Sequence, residues 1–206
     1  GSRISREDFA AYITQVSDVI AAMTKDGYPH PTAFEIETAV AFLFFKKENC
    51  DLVLLEVGMG GNLDATNIIK NTLLAVLVSI SMDHMSFLGN TLAQIAEKKA
   101  GIIKDGCRVV TARQKPEAMQ VIERISREHG AKCTIADASE AEVLKESCFG
   151  QTIRYRGEEY EIPLAGVYQK ENAVVALNAL KVLDELGFPT AAEQKKEGLR
   201  TVNWNG

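Results

Sequence analysis

The sequence predicts an α/β fold, a mostly parallel sheet flanked by helices. Three observations carry that expectation. The short continuous runs "DLVLLEV" (51–57) and "TLLAVLVSIS" (72–81) are rich in branched apolar residues, as strands buried on both faces are. Between and around them lie segments whose apolar residues recur at helical spacing. Strand, helix and strand signals then follow one another in "CRVVTA", "PEAMQVIERISREHG" and "KCTIA", the order of a right-handed crossover unit.

Taken along the chain, "SREDFAAYITQVSDVIAAMTKDG" opens with Ser5 as N-cap, carries acids in its first turn and stops at Gly27. The next helix, "PTAFEIETAVAFLFFKKEN", starts at the capping-box pair Thr32 and Glu35. After the two apolar runs, "TLAQIAEKKAGII" places Thr91 and Gln94 at the same spacing. From Gln151 the pattern changes to "QTIRYRGEEYEIPL", two alternating strands about Arg156-Gly157, an antiparallel hairpin added late to the parallel sheet. A long helix, "QKENAVVALNALKVLDELGFP", follows and ends at Gly187 and Pro189. The sequence carries no internal repeat and no low-complexity tract.

Composition narrows the function. A hydrophobic content of 46% over 206 residues supports one substantial core. A net charge of -5 without basic runs argues against nucleic-acid or anionic-membrane partners. No apolar run approaches the roughly 18 residues of a membrane span. Cys50, Cys107, Cys133 and Cys148 are widely spaced without a CxxC pair, the pattern of buried reduced thiols in a cytoplasmic protein.

The chemistry concentrates around "LLEVGMGGNLDATN" (54–67). A glycine-rich turn after a strand suggests a dinucleotide cradle, but the GxGxxG pattern requires glycine where Leu63 stands. A phosphate loop of the form GxxxxGK[ST] is absent too, since the chain contains no Gly-Lys dipeptide. Glu56 is expected at the carboxyl end of a buried parallel strand, where open α/β sheets place ligands. "MDHMSFLG" puts Asp83 and His84 at the same edge if the two strands are parallel. By themselves the residues leave alternatives open. His84 reads equally as a loop histidine, and Lys98 and Lys99 as solvated cations favourable to a helix C-terminus.

Four segments, "PTAFEIETAVAFLFF", "DLVLLEVGMGGNLDATN", "SISMDHMSFLGNTLAQIAEKKAGIIK" and "GVYQKENAVVALNAL", resemble consecutive blocks of the folylpolyglutamate synthase and dihydrofolate synthase family, relatives of the Mur ligases. The resemblance implies a P-loop NTPase-like central domain. It also implies an enzyme that uses ATP and Mg2+ to turn a carboxylate into an acyl phosphate, which the amine of L-glutamate attacks to form an amide. Pteroate or folate would be the acceptor. By position, Glu56, His84 and Lys99 resemble the catalytic magnesium ligands, Lys99 in carbamylated form, because an ammonium would repel the ion. Asp64, Thr66, Asn67 and Asp83 fall on the substrate side, with Asp83 the nearest acceptor to orient His84. Gln169 and Asn172 fall on the nucleotide side, Asn172 resembling the contact to adenine. Two positions depart from the family pattern: Asn62 stands where arginine is frequent, and Tyr168 where histidine is.

The resemblance further implies that residues 1–206 are a partial ATP-binding central domain. The strand and phosphate loop that precede it, and the glutamate-ligase domain that follows, lie outside the sequence. Such a chain is expected to be inactive alone, and its incomplete sheet to favour a homodimer. The alternatives are a Mur-type ligase for another acceptor and a noncatalytic paralogue without a phosphate loop that serves as an interaction module.

Overall fold

A computed structural model describes residues 3–83 and 85–204. They fall into two compact units: one takes the chain up to 59 together with 63–68, the other 60–62 and 69 onward.

The first unit is built on two helices, α1 (Arg6–Lys25) and α2 (Ala33–Glu48). Ser5 caps α1 by accepting the Asp8 N–H at 2.9 Å. The capping box of α2 is complete, Thr32 Oγ1 accepting the Glu35 N–H at 3.3 Å and Glu35 Oε2 the Thr32 N–H at 2.7 Å. Asn49 ends α2 in the left-handed region, at φ 48°. An ion pair from Lys47 to Asp8 joins the two helices. Val40 is the sole buried residue in either helix. Phe9, Val19 and Phe34 stay exposed, so this unit has little core of its own.

The expected strand at 51–57 is not observed. The segment has no regular secondary structure and joins neither sheet, and Leu54 is 93% exposed. A strand is defined by its ladder, and no described strand pairs with these residues.

In the second unit, β1 (Leu74–Leu77), β2 (Arg108–Ala112) and β3 (Lys132–Ala136) form a parallel sheet in the order β1-β2-β3. Val76 lies opposite Val110, and Val110 opposite Thr134. Both faces are covered, as the continuous apolar runs require. Ala75, Leu77 and Val109 join one cluster with Leu92, Ile95 and Ala96 of α4 (Leu92–Lys99) and Ile122 and Ile125 of α5 (Pro116–Glu128). Val110, Ala112 and Ala136 join another with Val174, Leu177 and Val182 of α6 (Gln169–Glu185). One helical turn, α3 (Met85–Leu88), lies between β1 and α4.

The late hairpin forms as expected, β5 (Gly150–Tyr155) and β6 (Glu158–Ile162), turning through Arg156 and Gly157 at φ 51° and 86°. It does not extend the parallel sheet. A further strand, β4 (Glu142–Ser147), pairs antiparallel with β5 and makes a separate three-stranded sheet. That strand is mostly exposed and charged, so its sequence carries no apolar alternation. The inner face of this sheet packs on α6, where the buried Asn178 donates to the Tyr155 hydroxyl at 3.1 Å. A last helix, α7 (Ala192–Arg200), is fixed to α6 through Asp184, which accepts the Thr190 N–H at 2.7 Å and pairs with Lys195. All four cysteines are free thiols, but Cys107 alone is buried, and Cys50 and Cys148 are exposed. No helix among the described residues is long and apolar enough to cross a membrane.

Ile122 is fully buried between α5 and the sheet. Ile122→Ala is expected to cost about 2–5 kcal/mol of stability through the cavity it leaves, read from the midpoint of urea unfolding at unchanged slope.

Candidate functional site

The glycine-rich segment is organised by Asp64. Within the first unit its Oδ2 accepts the Met59 N–H at 2.9 Å, and its Oδ1 accepts the Thr66 N–H at 2.9 Å and the Thr66 hydroxyl at 2.6 Å. Its main-chain carbonyl receives the Asn67 N–H at 2.9 Å, opening a single 3-10 turn over Ala65–Ile68. Burial pushes the Asp64 carboxyl up, but the Thr66 hydroxyl and the N–H groups of Met59, Thr66 and Gly58 outweigh it, so the group is held below its ordinary range. Thr66 is buried and Asn67 half-buried. Asp64 and Thr66 are thus the internal scaffold of the loop. Glu56 differs from expectation: it lies on the 52–57 stretch, which forms no strand, and is exposed, not set in apolar surroundings at the end of a strand.

In the second unit, residues 60–62 lie against the end of α4. Asn62 N–H donates to the Lys98 carbonyl at 3.1 Å, capping one of the carbonyls that a helix end leaves without a partner. Gly60 takes φ 80°, a conformation suited to glycine. Gly61 is needed for space: a Cβ there would stand 2.7 Å from the Lys98 carbonyl oxygen and 2.8 Å from that of Lys99. On the facing side a Cβ on Gly101 would meet Asn62 Cα at 2.7 Å. Two stretches of main chain touch here, and each needs a glycine. Lys99, half-buried, is the last residue of α4. Lys98 is exposed, and its ammonium donates to the Phe87 carbonyl.

At the carboxyl end of β1 the chain continues through Val78–Ser81 to Asp83, which is exposed and whose N–H bonds to the Ser81 carbonyl at 2.9 Å. His84 lies outside the described residues. Beside this segment, Gln114 is buried and bonds to it twice, accepting the Ile80 N–H at 2.9 Å and donating to the Val78 carbonyl at 2.9 Å. The sequence reading missed Gln114. Its only signal is a polar residue between the end of a strand and the proline that starts a helix. Along the same edge, Arg113 pairs with Asp137 at 2.6 Å and holds that carboxyl far below its usual range. Gln169 and Asn172 share the first turn of α6, the Asn172 amide donating to Gln169 Oε1 at 3.3 Å. Asn172 is exposed. Among the described residues no three His, Cys, Asp or Glu side chains gather as a metal-holding group.

Helix-flanked parallel strands with polar groups beyond their carboxyl ends are the architecture in which open α/β sheets bind ligands. The Mur ligase middle domain matches residues 8–180, and the chain belongs to that family. Among its relatives, the dihydrofolate synthase/folylpolyglutamate synthase of Bacillus subtilis (strain 168) is 37% identical over all of this chain and 50% of its own length. The apo form of L. casei folylpolyglutamate synthase superposes with a TM-score of 0.85 at 28% identity, over 98% of this chain and 51% of that one. The Mycobacterium tuberculosis folylpolyglutamate synthase complexed with ADP and AMPPCP gives 0.82 at 32% identity, over 98% of this chain and 48% of that one. The chain therefore spans about half the length of the relatives it matches.

Asp64→Asn replaces an acceptor oxygen by an NH2 group that faces N–H donors, and is expected to cost about 1–3 kcal/mol. Because the Asp64 carboxyl is depressed in the fold, its contribution is complete above the ordinary carboxylate range and is lost as pH falls through the depressed value. Urea unfolding of both proteins across acid pH checks this: the gap between them closes on acidification.

Proposed function

We propose that the chain is the nucleotide-handling middle part of an ATP-dependent ligase that joins L-glutamate to pteroate or folate through an acyl phosphate. The observation that carries this reading is the 37% identity, along all of the chain, with a relative named dihydrofolate synthase/folylpolyglutamate synthase. A relative crystallised with ADP and AMPPCP supports the nucleotide.

Glu56, His84 and Lys99 are proposed to hold Mg2+, on the family resemblance. The donor chemistry of the described pair fits under one condition. Glu56 offers an exposed carboxylate, a hard oxygen ligand of the kind magnesium takes. Lys99 as an ammonium offers no lone pair, so it serves only once carbamylated, with its terminal nitrogen converted into a carbamate anion. Bound magnesium would neutralise charge on the transferring phosphoryl group. Asn172 is assigned to the base of the nucleotide, and Gln169 to the nucleotide side. Asp83 is assigned to orienting His84, and Asp64, Thr66 and Asn67 to shaping the loop on the substrate side.

The absence of a Gly-Lys dipeptide means that these 206 residues do not themselves supply the phosphate loop that such chemistry needs, so the chain alone is expected to turn over nothing. A second reading is a noncatalytic interaction module. A Mur-type ligase with a different acceptor is the third.

The test is phosphate release by the intact natural protein, dependent on ATP and L-glutamate, with dihydropteroate and with reduced folates as acceptors. Turnover with either acceptor, reduced on the order of a hundredfold by Glu56→Gln, is the expected result. Wild-type turnover in that variant removes Glu56 from the metal site. No turnover by the intact protein with any acceptor supports the module instead.

Among the described residues β1 pairs with β2 alone. Self-association through that open edge is proposed for the isolated chain, and a monomer mass by light scattering would rule it out.

A further inference from the structure

We infer that Gln114 is a positioning residue for the metal end of the site, acting through the segment that carries Asp83. This inference rests on the ligase reading above. The parallel ladder of β1 and β2 ends at Leu77 opposite Thr111. The chain runs on to Ile80, which is still buried, but beyond Leu77 the ladder no longer supplies partners for its main-chain groups. The Gln114 side chain takes the place of the missing strand. Its Oε1 accepts the Ile80 N–H at 2.9 Å, while its Nε2 donates to the Val78 carbonyl at 2.9 Å and to Thr111 Oγ1 at 3.1 Å.

The pairing is specific to a primary amide. One planar group has to offer an acceptor to an N–H and a donor to a carbonyl two residues away. A carboxylate has no donor for Val78, and an apolar side chain leaves both main-chain groups without a partner. Gln114 is 9% exposed, so water does not readily substitute for it. By fixing Ile80 it fixes the direction in which the chain leaves the sheet, three residues before Asp83 and four before His84. A glutamine serving only the core would affect stability. One that aims residues 78–83 also governs how Asp83 is presented to the proposed metal ligand that follows it in the chain.

The experiment uses the intact natural protein with Gln114→Met, which keeps the length of the side chain and removes its hydrogen bonds. Val174→Ala, in the core on the other face of the sheet, serves as a control for lost stability alone. Two results are expected in Gln114→Met and not in the control. Amide exchange over residues 78–83 quickens about tenfold or more without ligand, and the Mg2+ concentration for half-maximal ATP turnover rises about tenfold, the scale on which outer groups tune metal affinity. Equal Mg2+ dependence in wild type and Gln114→Met, or exchange at 78–83 no faster than in Val174→Ala, overturns the inference. Should Gln114→Met fail to fold, Gln114→Glu decides. Its loosened 78–83 segment should tighten as pH falls and the introduced carboxyl regains a donor, and a segment indifferent to pH overturns the inference. A wild-type protein with no ATP turnover would defeat the ligase reading, whereas the exchange data test the positioning independently of it.

Discussion

The second unit depends on a strand that is buried on both sides. Val109, Val110, Thr111 and Ala112 of β2 are each fully buried, with β1 along one edge and β3 along the other. Alternate residues of this strand feed two separate apolar clusters, so α4 and α5 pack against one face and α6 against the other. At about 25 cal/mol per Å2 of apolar surface removed from water, burial on both faces is what lets a sheet of three short strands organise so much of the chain. The helix ends and loops named at the site take their places from it: α4 delivers Lys99, β1 leads to Asp83, and α6 begins at Gln169.

Polar groups then take over where the ladder stops. Past the ends of β1 and β3, and in the loop at 58–67, the main chain has no ladder partners, and single polar side chains supply them. Gln114 does so for Val78 and Ile80, Asp64 for Met59 and Thr66, and Asp137 for Ser139, whose N–H it accepts at 3.0 Å while pairing with Arg113. Such bonds add modest net stability but are costly to leave unmade, and they set directions that apolar packing does not.

This division explains how much was legible in the sequence. The capped helices α1 and α2, and α5 and α6 with their periodic apolar residues, could be read directly, because these signals lie within a few residues of one another. The parallel strands were legible from their branched runs, though "TLLAVLVSIS" keeps ladder pairing only over Leu74–Leu77. The run at 51–57 has the same composition and forms no strand here, since pairing depends on a neighbour and not on the run itself. β4, with its exposed charges, has no pattern to read and is defined by its bonds to β5. At the site, the motif blocks pointed to Glu56, Asp64, Lys99 and Asn172. They gave no hint that Asp64 spends both oxygens on its own loop, nor that Gln114 stands beside the exit from β1. The first is set by the local path of the loop and the second by a contact across the fold, Gln114 lying 34 residues from Ile80.

The seat of residues 60–62 on the end of α4 restricts both Gly61 and Gly101. A side chain added at either position meets main-chain atoms, and main chain cannot be exchanged for something smaller elsewhere. Neither glycine therefore has a compensating partner, and the two positions are restricted separately instead of changing together. Asn62, the residue after Gly61, takes part through its main chain. Asn62 contributes its N–H to the cap on α4, a group every residue but proline possesses, so replacing an arginine there by asparagine leaves that bond intact. Within one small contact, Gly61 and Gly101 are closed to side chains, while the bond at Asn62 is made by main chain.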